Sequence, residues 1–222
     1  MNEILFFITL ILNFSGILAS YKFFGKTGLY SWVAFATVMS NIEVVKCVDI
    51  FGMSLTLGNV IYGTTFLITD ILSEKYGGKE ARKAVYIGFS SMLIFTLFTQ
   101  INLLYAPNSA DFASDAMKTL FSLTPRLCLG SLTAYFIANI LDTYTFEFLK
   151  KRNKHLWLRN NLSTMMSQFV DAVIFTLIAF YGVFSNAMLI ELFFTTYAIK
   201  VLIAICDTPF IYLAKKIKPL GE

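Results

Sequence analysis

Lys79-Glu80-Ala81-Arg82-Lys83-Ala84-Val85-Tyr86-Ile87-Gly88-Phe89-Ser90-Ser91-Met92-Leu93-Ile94-Phe95-Thr96-Leu97-Phe98 opens on three positive charges and then turns apolar. The apolar run extends over 83–105. That is enough to cross a bilayer as a helix, which takes roughly 20 residues. Similar runs stand at 4–24, 29–48, 54–74, 121–148, 163–185 and 189–214. The whole chain of 222 residues is 57% hydrophobic and only 14% charged, whereas soluble domains carry roughly a quarter charged residues. Its mean hydropathy is +0.68. An all-α integral membrane protein is therefore expected: a polytopic helical bundle forming a single transmembrane domain over 1–222.

Seven crossings leave almost no chain for anything else, so a separate soluble catalytic or nucleotide-binding domain is excluded. No G-x-x-x-x-G-K loop occurs, and one His with three scattered Cys cannot make a metal cluster. No cofactor, metal or catalytic constellation is expected, and the protein does not hydrolyse ATP by itself. Cys47, Cys128 and Cys206 lie in apolar runs, which favours small buried hydrophobes over a disulfide framework.

The first run, Ile4 to Phe24, has no basic segment ahead of it and no clear small-residue cleavage site, so it reads as a helix rather than a signal peptide. The charge distribution then fixes an orientation, because Lys and Arg accumulate in cytoplasmic loops. Lys22 and Lys26 follow the first run. Lys75, Lys79, Arg82 and Lys83 follow the third, Lys150, Lys151, Arg152, Lys154 and Arg159 the fifth, and Lys215, Lys216 and Lys218 the seventh. Fourteen of the 18 basic residues thus lie on one side. Seven spans in the cytoplasmic membrane, N-terminus outside and C-terminus inside, are predicted. The net charge of +4 is a topology signal, with no direct nucleic-acid role. The inner stretch 150–162 reads as an anchor lying against anionic lipid.

Ionisable groups at membrane depth are costly, about 2.5 to 3.5 kcal/mol on insertion scales, so each calls for a partner or a function. With a rise of 1.5 Å per residue, Lys200 lies roughly 16 Å below the outer end of the last segment. Arg126, Asn59, Asn41 and Glu43 fall in the outer halves of theirs, and with Lys200 they could line a polar pocket open to the outside. A deeper set, Asp70, Glu74, Asn139, Asp142, Gln168, Asp171 and Asp207, falls in the inner halves. Asp70 with Glu74, Asn139 with Asp142, and Gln168 with Asp171 are spaced to share helix faces. Lys75, Arg82 and Lys83 are candidate partners for the acids near the inner helix ends. Lys200 and Asp171, at comparable depth on consecutive antiparallel helices, are expected to form a buried ion pair.

Phe66-Leu67-Ile68-Thr69-Asp70-Ile71-Leu72-Ser73-Glu74-Lys75-Tyr76-Gly77, followed by Ala81-Arg82, resembles the queuosine precursor transporter family within the vitamin uptake transporters. Pro125-Arg126, Asn139-Ile140-Leu141-Asp142, Leu156-Trp157-Leu158-Arg159-Asn160-Asn161 with Ser163-Thr164, Gln168, Asp171, Lys200, Asp207 and Pro209 follow in that family's order. The resemblance covers about 30–214 and implies a six-helix transporter core, with 4–24 as an extra N-terminal helix. It implies import of 7-deazaguanines such as preQ0 and preQ1, or of queuine or queuosine, for tRNA modification. Such a base needs an acceptor for its N1–H and amine, donors for its O6 and an aromatic platform. Glu43 is a candidate for the first, Arg126 or Asn59 for the second and Tyr62 for the third.

The expected substrate-binding set is therefore Asn41, Glu43, Asn59, Tyr62, Arg126 and Lys200. The coupling and gating set is Asp70, Glu74, Asp142, Gln168, Asp171 and Asp207, with Asp171 the candidate protonatable group. The expected partners are a small-molecule substrate and the lipid bilayer, with a homodimer and energising ATPase subunits left open. The alternative function is uptake of another small vitamin-like molecule, with an ATPase partner supplying energy. An intramembrane enzyme is disfavoured because His155 is the sole His and lies in an inner loop. A purely structural role leaves the intramembrane charges unexplained.

Overall fold

The computed structural model describes residues 1–122, 125–183 and 185–220, and the side chains of all of these except Ser54 and residues 125–128. The first helix, α1 (Asn2–Glu43), contains both of the first two apolar runs. At Gly25 the backbone leaves the helix (φ 57°, ψ −143°), a conformation open to glycine at little steric cost, and the chain doubles back. The two arms lie so close that a Cβ on Gly28 would sit 2.3 Å from the Ser20 carbonyl oxygen. At the far end the Asn2 side-chain amide donates to the Asp49 carbonyl at 2.9 Å. Phe6, Leu10, Phe14, Ile17 and Tyr21 form the buried stripe of the first arm, while Ile4, Leu5, Ile8, Ile11 and Leu12 face outward.

After Glu43 comes a β-hairpin, β1 (Cys47–Ile50) paired antiparallel with β2 (Met53–Thr56). Phe51 and Gly52 both have positive φ, 53° and 72°, as a two-residue hairpin turn requires. This corrects the expected helical runs 29–48 and 54–74: 44–57 is not helix, and the all-α bundle carries one small two-stranded sheet. Cys47 is correspondingly an exposed strand residue rather than a buried helical one, and Cys206 is half-buried; both are free thiols. Cys128 lies outside the described side chains.

The remaining helices are α2 (Gly58–Lys75), α3 (Gly78–Asn102), α4 (Ser114–Phe121), α5 (Pro125–Arg152), α6 (Leu156–Phe180) and α7 (Asn186–Lys216). The short, exposed α4 occupies part of the expected outer loop. Helix α6 begins earlier than predicted, at Leu156, so the inner connection shrinks to 153–155. The α2 helix is the axis of the bundle, packed against α1, α3, α5, α6 and α7. From Val60 to Ser73 all its residues except Tyr62 are buried.

The distribution of polarity is inverted relative to a soluble protein. On α6 the buried face carries Arg159, Asn160, Ser163, Thr164, Ser167, Gln168 and Asp171, while Leu162, Met166, Phe169 and Leu177 are exposed. An apolar exterior around a polar interior is stable in hydrocarbon, where the polar groups must satisfy one another. Among the described residues, Asn2–Glu43, Gly78–Asn102, Leu156–Phe180 and Asn186–Lys216 are long and apolar enough to cross a membrane. The chain is a multi-pass helical membrane protein.

Gly28→Val should destabilise the α1 turn by about 1–3 kcal/mol, because the added side chain meets backbone that cannot yield. Gly130→Ala, whose Cβ would sit 3.5 Å from Ile178 in ordinary contact, should change stability little. Thermal unfolding of the two variants in detergent distinguishes these outcomes.

Candidate functional site

A cavity of about 550 Å³ opens between the β-hairpin end of the bundle and its midsection, within the usual range for small-molecule sites. Asn41 from α1, Thr56 from β2 and Asn59 and Tyr62 from α2 line one side. The other side is Ser131 and Tyr135 from α5, Asp171 and Phe175 from α6, and Thr196 and Lys200 from α7. Asn59 and Tyr62 are partly exposed on an otherwise buried stretch of α2 because they border this space.

At the cavity floor the buried Lys200 ammonium is paired with Asp171 Oδ2. The Tyr62 hydroxyl donates to Asp171 Oδ1 at 2.6 Å, and Lys200 Nζ lies 5.0 Å from the centre of the Tyr62 ring. The Asn139 amide donates to Tyr62 Oη at 3.4 Å and to the Tyr135 carbonyl at 2.9 Å. Tyr62 and Tyr135 pack with ring centres 5.9 Å apart. The floor is thus a charge pair held in place by hydrogen bonds and flanked by rings.

Below the floor the polar side chains continue through the core. Ser167 and Thr69 hydroxyls donate to the two oxygens of Asp142 at 3.0 and 3.3 Å. Thr164 donates to Asp70 Oδ2 at 3.4 Å, and the Asn160 amide donates to Asp207 Oδ1 at 2.7 Å. Asp70, Asp142 and Asp207 are all fully buried. One oxygen each of Asp70 and Asp207 and both polar ends of Gln168 have no protein partner among the described residues.

The end opposite the cavity is closed by Glu74. Its carboxylate pairs with Arg159 of α6, with Lys215 of α7 at 3.0 Å and with Lys150 of α5 at 3.8 Å. Lys150 also donates to the Ser73 and Glu74 carbonyls at 2.5 and 2.8 Å, and Lys75 to the Lys215 carbonyl at 2.7 Å. Four helices meet on one carboxylate. Lys75, Arg82 and Lys83 were expected to neutralise the inner acids; the partners of Glu74 come instead from helices distant in sequence, and Asp70 and Asp142 are held by hydroxyls. Arg159, expected among the lipid-facing anchor residues, is buried against Glu74.

Asn41, Asn59, Tyr62 and Lys200 of the expected binding set line the cavity, joined by Asp171 from the coupling set. Glu43 does not line it; the helix ends at that residue and the chain turns into the hairpin. The Arg126 side chain lies outside the described residues. Sequence reasoning missed Tyr135 and Ser167, and it singled out Asn160 and Thr164 only as part of the family resemblance, without a place in the polar core. The signal was present in the spacing of 160, 163, 164, 167, 168 and 171, one polar stripe along a helix. Among the described residues no group of acids, His or Cys is arranged to hold a metal ion.

A family model described as "Putative vitamin uptake transporter" matches residues 56–214, from the end of β2 nearly to the end of α7. The class is thereby a membrane-embedded uptake transporter. The chain is 45% identical over 215 residues, 96% of this chain and 94% of the relative, to the "Probable queuosine precursor transporter" of Bacillus subtilis (strain 168). It is 28% identical over 169 residues, 75% of each chain, to the "Queuosine precursor transporter" of Escherichia coli (strain K12). No solved structure matches it. The chain belongs to the queuosine precursor transporter family, within the vitamin uptake transporters.

Glu74→Gln should be strongly destabilising, by about 3–5 kcal/mol, because it strands the buried Arg159 charge. Lys215→Ala should cost less than about 1 kcal/mol, since that partner is half exposed and solvent screens it. Melting temperatures in detergent give the comparison.

Proposed function

We propose that this protein imports queuosine precursors, 7-deazaguanines or their nucleosides, across the cytoplasmic membrane for tRNA modification. The observation that supports this most directly is the cavity floor, where Asp171 and Lys200 supply acceptors and donors beside Tyr62 and Tyr135. A flat, neutral, hydrogen-bonding heterocycle suits such a site. Asn41, Asn59, Tyr62 and Lys200 bind the substrate, and the protein acts as a carrier rather than an enzyme.

The two arms of α1 with α2, α3, α5, α6 and α7 make seven crossings, N-terminus outside and C-terminus inside. In support, the basic ends of the first, third, fifth and seventh segments gather at one pole: Lys75 reaches the Lys215 carbonyl, Lys150 the Ser73 carbonyl, and the Leu220 N–H donates to the Lys22 carbonyl at 2.9 Å. Positive charge collects on the cytoplasmic side, so the cavity at the other pole faces outward. Glu74 then serves as the inner gate. Asp70, Asp142, Gln168 and Asp207 link gate and floor and serve in coupling.

Cells that neither make queuosine nor import its precursors should regain queuosine in tRNA when they express this protein and are fed preQ0, preQ1, queuine or queuosine; Lys200→Ala should remove most of the gain. Failure with all four, despite membrane expression, would overturn the substrate assignment. For orientation, Cys47 is a native probe in a Cys128→Ser, Cys206→Ser background. A membrane-impermeant maleimide should label it in intact cells, and substrate should slow the labelling, because Cys47 borders the cavity.

A further inference from the structure

We infer that Asp171 and Lys200 together read the guanine edge of the substrate, the row formed by O6, N1–H and the 2-amino group. The inference rests on the import reading above and goes further by assigning the specificity to one ion pair. Among the described cavity-lining residues, these two are the only charged side chains.

Their hydrogen-bonding capacity matches that edge. A lysine ammonium has three donors, and one is directed to Asp171. A carboxylate has about four acceptor positions, of which Tyr62 and Lys200 occupy one each. Two ammonium donors and about two carboxylate acceptors therefore remain beside the cavity, enough to offer an edge one donor next to two acceptors. A guanine-type edge presents an acceptor beside two donors, so O6 faces Lys200 while N1–H and the 2-amine face Asp171. The ring system then lies among Tyr62, Tyr135 and Phe175, which line the same space. The fit is made without removing either charge from its partner, so a neutral base gains hydrogen bonds at little electrostatic cost.

Other edges fail in defined ways. A hypoxanthine-type edge lacks the amine and leaves one carboxylate acceptor unpaired. An adenine-type edge turns a ring nitrogen lone pair toward the carboxylate and an amine toward the ammonium, two repulsive contacts. Buried polar groups left unpaired by the wrong ligand are an effective source of discrimination.

The test is binding of 7-deazaguanine, 7-deazahypoxanthine and 7-deazaadenine to purified full-length protein by calorimetry. Wild type should bind 7-deazaguanine at least about tenfold more tightly than 7-deazahypoxanthine, the effect expected for one lost hydrogen bond to a charged group, and 7-deazaadenine more weakly still. In Asp171→Asn the preference of 7-deazaguanine over 7-deazahypoxanthine should collapse. In Lys200→Met both should weaken together with that preference retained. Because either single change leaves a buried charge unpaired, the double variant Asp171→Asn, Lys200→Met carries the test if a single variant fails to fold. Wild-type binding that ignores the 2-amine, or discrimination that survives loss of Asp171 in a folded variant, overturns the inference while leaving import intact. Failure of wild type both to bind any deazaguanine and to restore queuosine in cells overturns the import reading itself.

Discussion

Hydrocarbon offers no hydrogen bonds, so polar side chains placed at membrane depth are driven to the interior of the bundle. The architecture is organised by that constraint. Helix α6 turns its polar stripe inward and its Leu, Met and Phe residues outward, and α2, ringed by five other helices, carries Thr69, Asp70 and Ser73 where lipid cannot reach them. The core is consequently held by hydroxyl-to-carboxylate bonds such as Ser167 to Asp142 and by amide bonds such as Asn160 to Asp207. Apolar packing supports this core from outside, through the stripe Phe6, Leu10, Phe14, Ile17 and Tyr21 on the first arm of α1.

The two poles of the bundle differ because the chain is built differently at each. At one pole α1 stops at Glu43 and a hairpin of eight strand residues takes the place of helix, leaving room for a cavity between α2, α5, α6 and α7. At the other, the helices run to their full length and converge on Glu74. Separating Arg159 from Glu74 would leave a buried cation without its partner, which is unfavourable unless water or another anion takes the carboxylate's place. Gln168 lies on the same face of α6 as Thr164, which holds Asp70, and Asp171, which holds Lys200. A shift of α6 therefore moves floor and inner acids together, a physical connection between the two ends.

Much of this was legible in the sequence because hydrophobic runs and basic clusters are strong one-dimensional signals. The pairing of Lys200 with Asp171 followed from depth alone, since consecutive antiparallel helices bring equal depths together. The hairpin was half hidden: the expected runs break at 49–53, where Phe51 and Gly52 form the turn, but Cys47, Val48 and Leu55 are as apolar as a helix segment, so the strands read as helix ends. The partners of Glu74 were hidden for another reason. Lys150, Arg159 and Lys215 sit in three different helices, and which of the many inner basic residues reaches one carboxylate depends on helix rotation, which charge counting does not encode. Glu43 is absent from the cavity lining although Asn41, Val44 and Val45 border it, because the helix ends at Glu43 and the backbone changes direction there.

The floor pair also combines mutual stabilisation with unused hydrogen-bonding capacity. Isolated, a carboxylate or an ammonium at this depth would be prohibitively desolvated; together, with Tyr62 bonding the carboxylate, they neutralise each other. Neutralisation leaves hydrogen-bonding capacity unused, because one ion–ion contact occupies only part of what each group can make. The guanine-type edge is itself uncharged, so in the proposed complex it would complete the pair's hydrogen bonds without disturbing its charge balance. The arrangement that stabilises the two charges is thus the one the proposed selectivity draws on, and polar side chains continue from it through Asp142 and Asp207 toward Glu74.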